Sequence, residues 1–348
     1  MQIKIKKNFS INKSSKPLII AEISGNHSGK KSFFLKHIRS AAKNGADMIK
    51  IQTYEPKDIT LQNRDKNFKI NSGTWKGKYL WDLYKKAHTP FSWHKDAFKL
   101  AKELKIILFS SPFSKRAVDL LEKFNVPLYK IASFEITDLD LIDYIAKKRK
   151  PIIVSTGMAT LKEIKRAIKV IEKYHKKIII LYCVSGYPTQ EKDVNISTIN
   201  EFKKIFKKYL VGLSDHTDNI YSAFTATALG ATIIEKHFIL DKKLNSVDKS
   251  FSIDIKQLKE LKKVTEKIFV SLGKPKIGPK KNEFESLKLR RSIFALKSIS
   301  KGEKFSEQNI RSFRPFLGIG SENFDKILGK KSKKNIKLGS PIKKSDFV

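Results

Sequence analysis

The sequence predicts an α/β protein built on a closed (β/α)8 TIM barrel, and three observations lead there. Eight short apolar runs lie between residues 18 and 240, each bounded by polar or turn residues. Amphipathic stretches of helical period separate them, which is the alternation that a parallel barrel requires. No Gly-x-Gly-x-x-Gly follows the first run, which argues against an open, doubly wound sheet.

The first predicted strand, 18–24, reads Leu-Ile-Ile-Ala-Glu-Ile-Ser and leads to an amphipathic helix over 30–44. The second covers 48–54. A longer polar segment containing Asn71-Ser72-Gly73-Thr74-Trp75-Lys76-Gly77 follows, before a helix near 90–104. An insertion after a strand belongs to the active face of a barrel. Strands at 106–112, 128–134, 151–157 and 178–185 come next, with helices at 114–124, 161–174 and 196–208. The seventh and eighth strands, 210–216 and 232–240, flank a helix at 221–229, and the last barrel helix ends near 272. Residues 1–272 are therefore assigned to the barrel domain. The stretch 273–285 opens Gly-Lys-Pro-Lys-Ile-Gly-Pro and reads as a linker. Beyond it, 286–348 is rich in short β-type pieces, and two related phrases recur: Ile299-Ser300-Lys301-Gly302-Glu303-Lys304-Phe305, then Ile336-Lys337-Leu338-Gly339-Ser340-Pro341-Ile342. That length makes a small β-rich second domain.

The 348 residues carry 72 Lys and Arg against 34 Asp and Glu, a formal charge of +38. Such a balance raises nucleic acid or an acidic membrane as partners. The composition argues against both: 63 of the basic residues are Lys and only 9 are Arg, they are spread along the whole chain, and no aromatic residues interleave with a basic stripe. The expectation is a lysine-rich solvated surface, with no nucleic-acid partner. The single cysteine, Cys183, excludes an intramolecular disulfide, fits a reducing compartment and is expected mid-strand as packing. No apolar segment follows Met1-Gln2-Ile3-Lys4 within residues 1–15, and no run approaches the length of a membrane span. A soluble cytoplasmic protein with no membrane partner is expected.

In a barrel, chemistry resides where strands give way to the following loops. Those positions are polar here: Glu22, Asn26 and His27 after the first strand; Lys50, Gln52 and Tyr54; Ser110 and Ser111; Lys130, Ser133 and Glu135; Ser155 and Thr156; Ser185 and Tyr187; Ser214 and His216; Glu235 and His237. Singly, such serines often just satisfy nearby backbone. Together, two lysines and several hydroxyls at one mouth form a cradle for a multiply charged anion, most simply a phosphate with a carboxylate. A lysine inside an apolar strand such as Met48-Ile49-Lys50-Ile51 is costly unless paired with charge. His216 and His237 end neighbouring predicted strands in matching positions. Neutral imidazole is a common ligand for transition metals, so the pair predicts a shared metal site rather than two satisfied core histidines. A metal beside the anion cradle, with Glu135 nearby, suggests Lewis-acid activation of a carbonyl. The rival is a Schiff-base aldolase with Lys50 or Lys130 as nucleophile.

Seven phrases carry a resemblance: Ile20-Ala21-Glu22-Ile23-Ser24-Gly25-Asn26-His27, Lys50-Ile51-Gln52-Thr53-Tyr54, Ser110-Ser111-Pro112-Phe113, Tyr129-Lys130-Ile131-Ala132-Ser133-Phe134-Glu135, Val154-Ser155-Thr156-Gly157-Met158, Gly212-Leu213-Ser214-Asp215-His216-Thr217 and Glu235-Lys236-His237-Phe238. In this order they resemble the sialic acid synthase family of nonulosonate synthases, from about residue 15 to the C-terminus. Residues 286–348 look like that family's antifreeze-like (SAF) domain, which in the family reaches over the barrel of a partner subunit. A domain-swapped homodimer is what this implies. Gly73-Thr74-Trp75-Lys76-Gly77, Leu80-Trp81-Asp82-Leu83-Tyr84, Thr89-Pro90-Phe91-Ser92-Trp93-His94 and Asp248-Lys249-Ser250-Phe251-Ser252 look like the pseudaminic acid branch.

The resemblance implies a transferase that condenses phosphoenolpyruvate with a 6-deoxy-di-N-acetylamino hexose of altro configuration, giving pseudaminic acid and phosphate. Carbon–carbon bond formation would be aldol-type and metal-assisted, with carbon–oxygen cleavage releasing the phosphate. Carried over by position, His216 and His237 would hold a divalent ion, manganese in the family, with magnesium or cobalt as substitutes. Lys50, Ser111, Lys130, Ser133, Ser155 and Ser214 would bind phosphoenolpyruvate. Gln52, Tyr187 and Asp248 would face the sugar, the partner subunit's Arg314 would meet it, and Glu22 or Glu135 would move protons. Ser185 stands where sialic acid synthases commonly show Asn; this departure argues against a sialic acid precursor. Two alternatives stay open: the same reaction giving N-acetylneuraminic or legionaminic acid, and a carbohydrate-binding protein that keeps the scaffold without turnover.

Overall fold

An antiparallel hairpin, β1 (Gln2–Lys6) and β2 (Phe9–Asn12), opens the chain. Ile3, Ile5 and Ile11 are buried in one cluster with Leu18, Met48, Ile107 and Leu128 of the barrel. The hairpin was not expected. Its signal is the Ile-Lys-Ile-Lys alternation of residues 3–6, whose apolar members face inward while the lysines stay exposed.

The barrel follows: β3 (Leu18–Glu22), β4 (Met48–Thr53), β5 (Ile107–Pro112), β6 (Tyr129–Ile131), β7 (Ile152–Ser155), β8 (Ile178–Cys183), β9 (Leu210–Asp215) and β10 (Ile233–His237). They pair in parallel and close, with β10 between β3 and β9. Nearly every strand residue is buried, as a parallel sheet covered by helices on its outer face demands. The helices are α1 (Lys31–Lys43), α2 (Leu80–Ala87), α3 (His94–Glu103), α4 (Lys115–Lys123), α5 (Leu139–Ala146), α6 (Leu161–Glu172), α7 (Glu191–Val194), α8 (Thr198–Ile205), α9 (Tyr221–Ala228) and α10 (Ile255–Leu272). Side chains start several of them. Ser114 and Asp138 cap α4 and α5, and reciprocal capping boxes, Thr160 with Glu163 and Asp254 with Gln257, start α6 and α10. Gly212 is needed inside β9, because a Cβ there would sit 2.5 Å from the Ile233 carbonyl oxygen and 2.7 Å from Leu181.

Most strands stop one to three residues before the apolar runs that announced them. Ser24, Tyr54, Ser133, Thr156 and His216 lie beyond the strand ends yet are buried, because the loops fold back over the mouth. Apolar runs record burial, and here burial outlasts strand pairing.

This computed structural model describes residues 1–347 and falls into two compact units that part between Gly273 and Lys274. The stretch read as linker is exposed throughout, and a helical turn, α11 (Phe284–Leu287), begins within it. In the second unit β11 (Ser292–Ala295) and β12 (Ile310–Phe313) pair antiparallel, and a short helix, α12 (Phe324–Ile327), packs beside them. The two related phrases meet there: Ile299 pairs with Ile336 in both hydrogen bonds of a bridge, and Ile299, Phe305, Ile336 and Ile342 share one core.

Three buried histidines outside the mouth are locked neutral by their partners. His37 donates from Nδ1 to the Phe33 carbonyl (2.7 Å) and accepts the Leu240 N–H at Nε2 (3.2 Å). His27 donates to Ala87 and accepts from Gly29, while His94 donates to the Pro90 carbonyl and accepts from the Thr53 hydroxyl. Burial holds each at about 4, below the ordinary 6.5. The unfolded chain therefore takes up these protons first. Above about pH 6.5 neither state is protonated and nothing is lost; from there down to about pH 4 each histidine removes up to about 3 kcal/mol of stability. Urea unfolding across that window should show His94→Gln with a shallower loss of stability than the parent; identical slopes would refute the role.

Candidate active site

Strand register assembles the site. His237 pairs with Glu22, Glu22 with Lys50, Gln52 with Ser111, and Glu235 with Ser214, so residues from five strands reach the same level at the C-terminal end of the barrel. Because side chains alternate, Ser214 and Glu235 point inward while their neighbours Asp215 and Lys236 point to the outer face. There Lys236 is fully buried and donates to Asp215 (2.9 Å), to the Thr217 carbonyl (2.5 Å) and to its hydroxyl (2.9 Å). This pair braces the two strands that lead to His216 and His237.

The floor of the mouth is an ion cluster. Lys50 stands 2.8 Å from Glu22 and 3.3 Å from Glu235, and Lys130 stands 3.2 Å from the same Glu235 oxygen, every partner almost wholly buried. Burial alone would lower the Lys50 ammonium, but Glu22 and Glu235 together hold it above the usual lysine value. Burial and the neighbouring Lys50 push Lys130 below its ordinary value against the pull of Glu235. Ser111 lies 3.5 Å from Lys50, and the Ser214 hydroxyl 3.4 Å from Glu235.

Above the cluster opens a cavity of about 590 Å³. Lys50, Gln52, Lys130, Ser133, Glu135, Ser155, Tyr187, Ser214, His216, His237 and Asp248 all line it, so eleven of the fifteen residues to which the sequence resemblance gave a role meet there. Glu22 and Ser111 lie beneath, touching Lys50. Ser185 stands behind Gly157, where an added Cβ would come within 2.1 Å of its hydroxyl and 2.9 Å of that of Ser133. Arg314 belongs to the second unit, exposed just after β12.

Several lining groups lack a partner. The Ser155 hydroxyl, Glu135 Oε2, Glu235 Oε2 and His237 Nδ1 are buried with none. Such atoms are rare unless a ligand satisfies them. Burial pushes the Glu135 carboxyl up to about 7, a value suited to moving a proton. The His216 and His237 rings are 5.3 Å apart. His216 Nδ1 donates to the Val184 carbonyl (2.9 Å). Burial would lower this imidazole, but the adjacent Cys183 holds it above its ordinary value, so ligation through Nε2 would release a proton. Burial holds His237 neutral, well below its ordinary value. Among the described residues no third side chain completes a ligand cluster. Two imidazoles lining one cavity, His237 with an unpartnered ring nitrogen, fit a divalent ion. Asp248, also on the lining, accepts from the Ser24 hydroxyl and the Gly25 N–H, and Gln52 donates to Glu22 and Ser24.

Sequence reading assigned no role to Glu235, although it touches both lysines, and placed Cys183 mid-strand as packing. Cys183 instead ends β8, with its sulfur 3.4 Å from the Ser133 hydroxyl and 3.7 Å from His216. The sequence marks only the inward face of Glu235, two residues before a candidate ligand; the Cys183 contact follows from the register that pairs it with Ser214. The aromatic wall of Trp75, Tyr187 and Phe251, with ring centroids 5.1–6.0 Å apart, was legible only as isolated residues.

Fold and site together define a barrel enzyme with a buried anion cradle at its mouth and a small appended β domain. The chain belongs to the NeuB family: that family's model matches residues 37–276, and the SAF domain model matches 290–348. It is 41% identical over 341 residues to pseudaminic acid synthase of Campylobacter jejuni, covering 98% of both chains. It is 37% identical over 327 residues to N,N'-diacetyllegionaminic acid synthase of the same species, covering 92% of this chain and 97% of that one. The crystal structure of N-acetylneuraminic acid synthetase from Leptospira borgpetersenii superposes with a TM-score of 0.74 at 31% identity, over 82% of this chain and 95% of the other.

Lys236→Met would strand the buried Asp215 carboxylate and should cost about 3–5 kcal/mol in urea unfolding. Adding Asp215→Leu removes the stranded charge and should recover most of the loss; a single variant as stable as the parent would show that the pair does not brace the strands.

Proposed function

We propose that this chain is a pseudaminic acid synthase, which condenses phosphoenolpyruvate with a 6-deoxy-di-N-acetylamino hexose of altro configuration. One observation carries the reading: a cradle of two lysines and three hydroxyls shares a cavity with two imidazoles, in a chain similar over nearly its whole length to pseudaminic acid synthases. The legionaminic and N-acetylneuraminic enzymes use the same architecture, so the sugar is decided by assay.

Lys50 and Lys130, with Ser133, Ser155 and Ser214, hold the phosphate and carboxylate of phosphoenolpyruvate. Ser111 and Glu22 hold Lys50 in place from below. The sugar's aldehyde end enters on the imidazole side, with Gln52, Tyr187 and Asp248 along its length. His216 and His237 would hold a divalent ion, manganese or its substitutes magnesium and cobalt, which when bound would supply Lewis-acid polarisation of the aldehyde. The enol carbon bonds to the aldehyde carbon, and the aldehyde oxygen takes up a proton. Water adds to the carbon bearing phosphate and loses its own proton, and the carbon–oxygen bond breaks to release phosphate. Glu135 is placed to carry these protons, since burial keeps it half protonated near neutral pH, whereas Glu22 is tied to Lys50 and Gln52. A swapped homodimer belongs to the same proposal. Arg314 is exposed among the exposed apolar residues Phe313, Phe316 and Leu317, and the partner subunit's Arg314 completes the sugar site.

The test is phosphate release with phosphoenolpyruvate and manganese, offering the altro diacetamido sugar, the legionaminic precursor and N-acetylmannosamine. Release chiefly with the first is expected. Preference for another sugar reassigns the substrate, and no release with any of the three refutes a synthase. His216→Ala and His237→Ala should lose both turnover and manganese binding by calorimetry, and unchanged binding would refute the ligand assignment. Arg314→Ala should raise the KM for sugar more than that for phosphoenolpyruvate, and the reverse order would refute its role.

A further inference from the structure

Between β4 and α2 the chain is mostly polar or charged, yet from 56 to 80 the side chains that line the cavity are Ile59, Ile70, Trp75 and Leu80. We infer that this insertion is an apolar wall that reads the methyl end of the sugar, with Ile59, Ile70 and Trp75 as specificity-determining residues; the inference rests on the synthase reading above.

The insertion is held in place as a formed structure. Lys69 and Tyr79 bridge antiparallel, Ile70 N–H donates to the Lys78 carbonyl (2.9 Å), and Gly77 N–H donates back to Ile70 (2.8 Å), closing a turn that presents Trp75. Arg64 grips Asp82 with two bonds (2.5 and 3.0 Å), Arg116 grips Glu55 and Asp58, and the Thr74 hydroxyl donates to the Tyr187 carbonyl.

Its position suits the far end of the substrate. Ring centroids run from His216 to Tyr187 at 4.5 Å and on to Trp75 at 5.4 Å; a second path runs from His237 to Phe251 at 4.8 Å and on to Trp75 at 6.0 Å. The aldehyde carbon must lie at the imidazoles and the enol carbon. The last carbon of an open six-carbon chain lies roughly 6 Å from the first, five bonds of about 1.5 Å in zigzag. Because the aldehyde would be set off from the rings by the ion, at roughly 2 Å per coordination bond, that carbon comes to the level of the indole.

The wall is chemically one-sided. The indole N–H is already spent on the Val247 carbonyl (3.0 Å), and Ile59, Ile70 and Leu80 carry no polar side-chain atom. A methyl group there leaves water for an apolar surface. A hydroxyl in the same place would lose its water without gaining a partner from these four side chains. An apolar pocket rejects an added hydroxyl by up to about a hundredfold, which bounds the expected selectivity.

The experiment uses the full-length, manganese-loaded protein at saturating phosphoenolpyruvate. It compares kcat/KM for the 6-deoxy diacetamido sugar with that for its 6-hydroxy counterpart, in the parent, Ile70→Thr and, as a second variant of similar shape, Ile59→Thr. The parent should prefer the 6-deoxy sugar by about ten- to a hundredfold. In the variants the preference should fall at least severalfold through a higher KM for the 6-deoxy sugar, with the KM for phosphoenolpyruvate unchanged. A parent that turns over both sugars equally, or folded variants that keep the full preference, would overturn the inference while leaving the synthase reading intact. A parent that releases no phosphate from any diacetamido sugar would overturn both.

Discussion

The mouth of this barrel depends on the carboxylate of Glu235, which stands between two buried ammonium groups. One of its oxygens lies 3.3 Å from Lys50 and 3.2 Å from Lys130, and Glu22 balances Lys50 from the other side. Two positive and two negative charges close on themselves inside the protein. Burying them costs several kcal/mol per ion unless each finds partners, so the geometry has to be good on every side. The arrangement is a cradle already dehydrated and already pointed. An incoming dianion or trianion competes with Glu235 for the lysines instead of having to organise them, which is the preorganisation that anion-activating enzymes use.

Period-two alternation then makes one set of strands serve two ends. The inward residues Ser214 and Glu235 line the mouth, and the outward residues Asp215 and Lys236 contribute a buried ion pair that fixes how β9 and β10 end. His216 and His237 follow one residue later on each strand, so their separation is inherited from a salt bridge on the opposite face. The insertion after β4 adds the remaining wall, bringing indole and aliphatic side chains to a mouth whose floor is ionic.

Much of this was legible in the sequence. Parallel strands buried on both faces read as continuous apolar runs, so all eight appeared, and polar residues at the ends of such runs could only belong to the mouth. Strand limits were less legible, because Ser24, Tyr54 and His216 are buried by returning loops rather than by pairing. The N-terminal hairpin escaped notice since only Ile3, Ile5 and Ile11 mark it. Roles that depend on distance were not legible at all. Glu235 as the bridge between the lysines, Cys183 beside His216, and Ser185 behind Gly157 follow from barrel closure, which brings residues far apart in sequence within about 4 Å of one another.

The most direct test of the central claim is calorimetric binding of phosphoenolpyruvate to the full-length protein without added metal, comparing the parent with Lys130→Met. The account predicts that removing this one cradle ammonium weakens binding by about a hundredfold, the equivalent of a lost charge-assisted contact of about 3 kcal/mol. An unchanged Kd in a folded Lys130→Met variant would contradict it, because the anion would then be held somewhere other than the cluster that Glu235 organises.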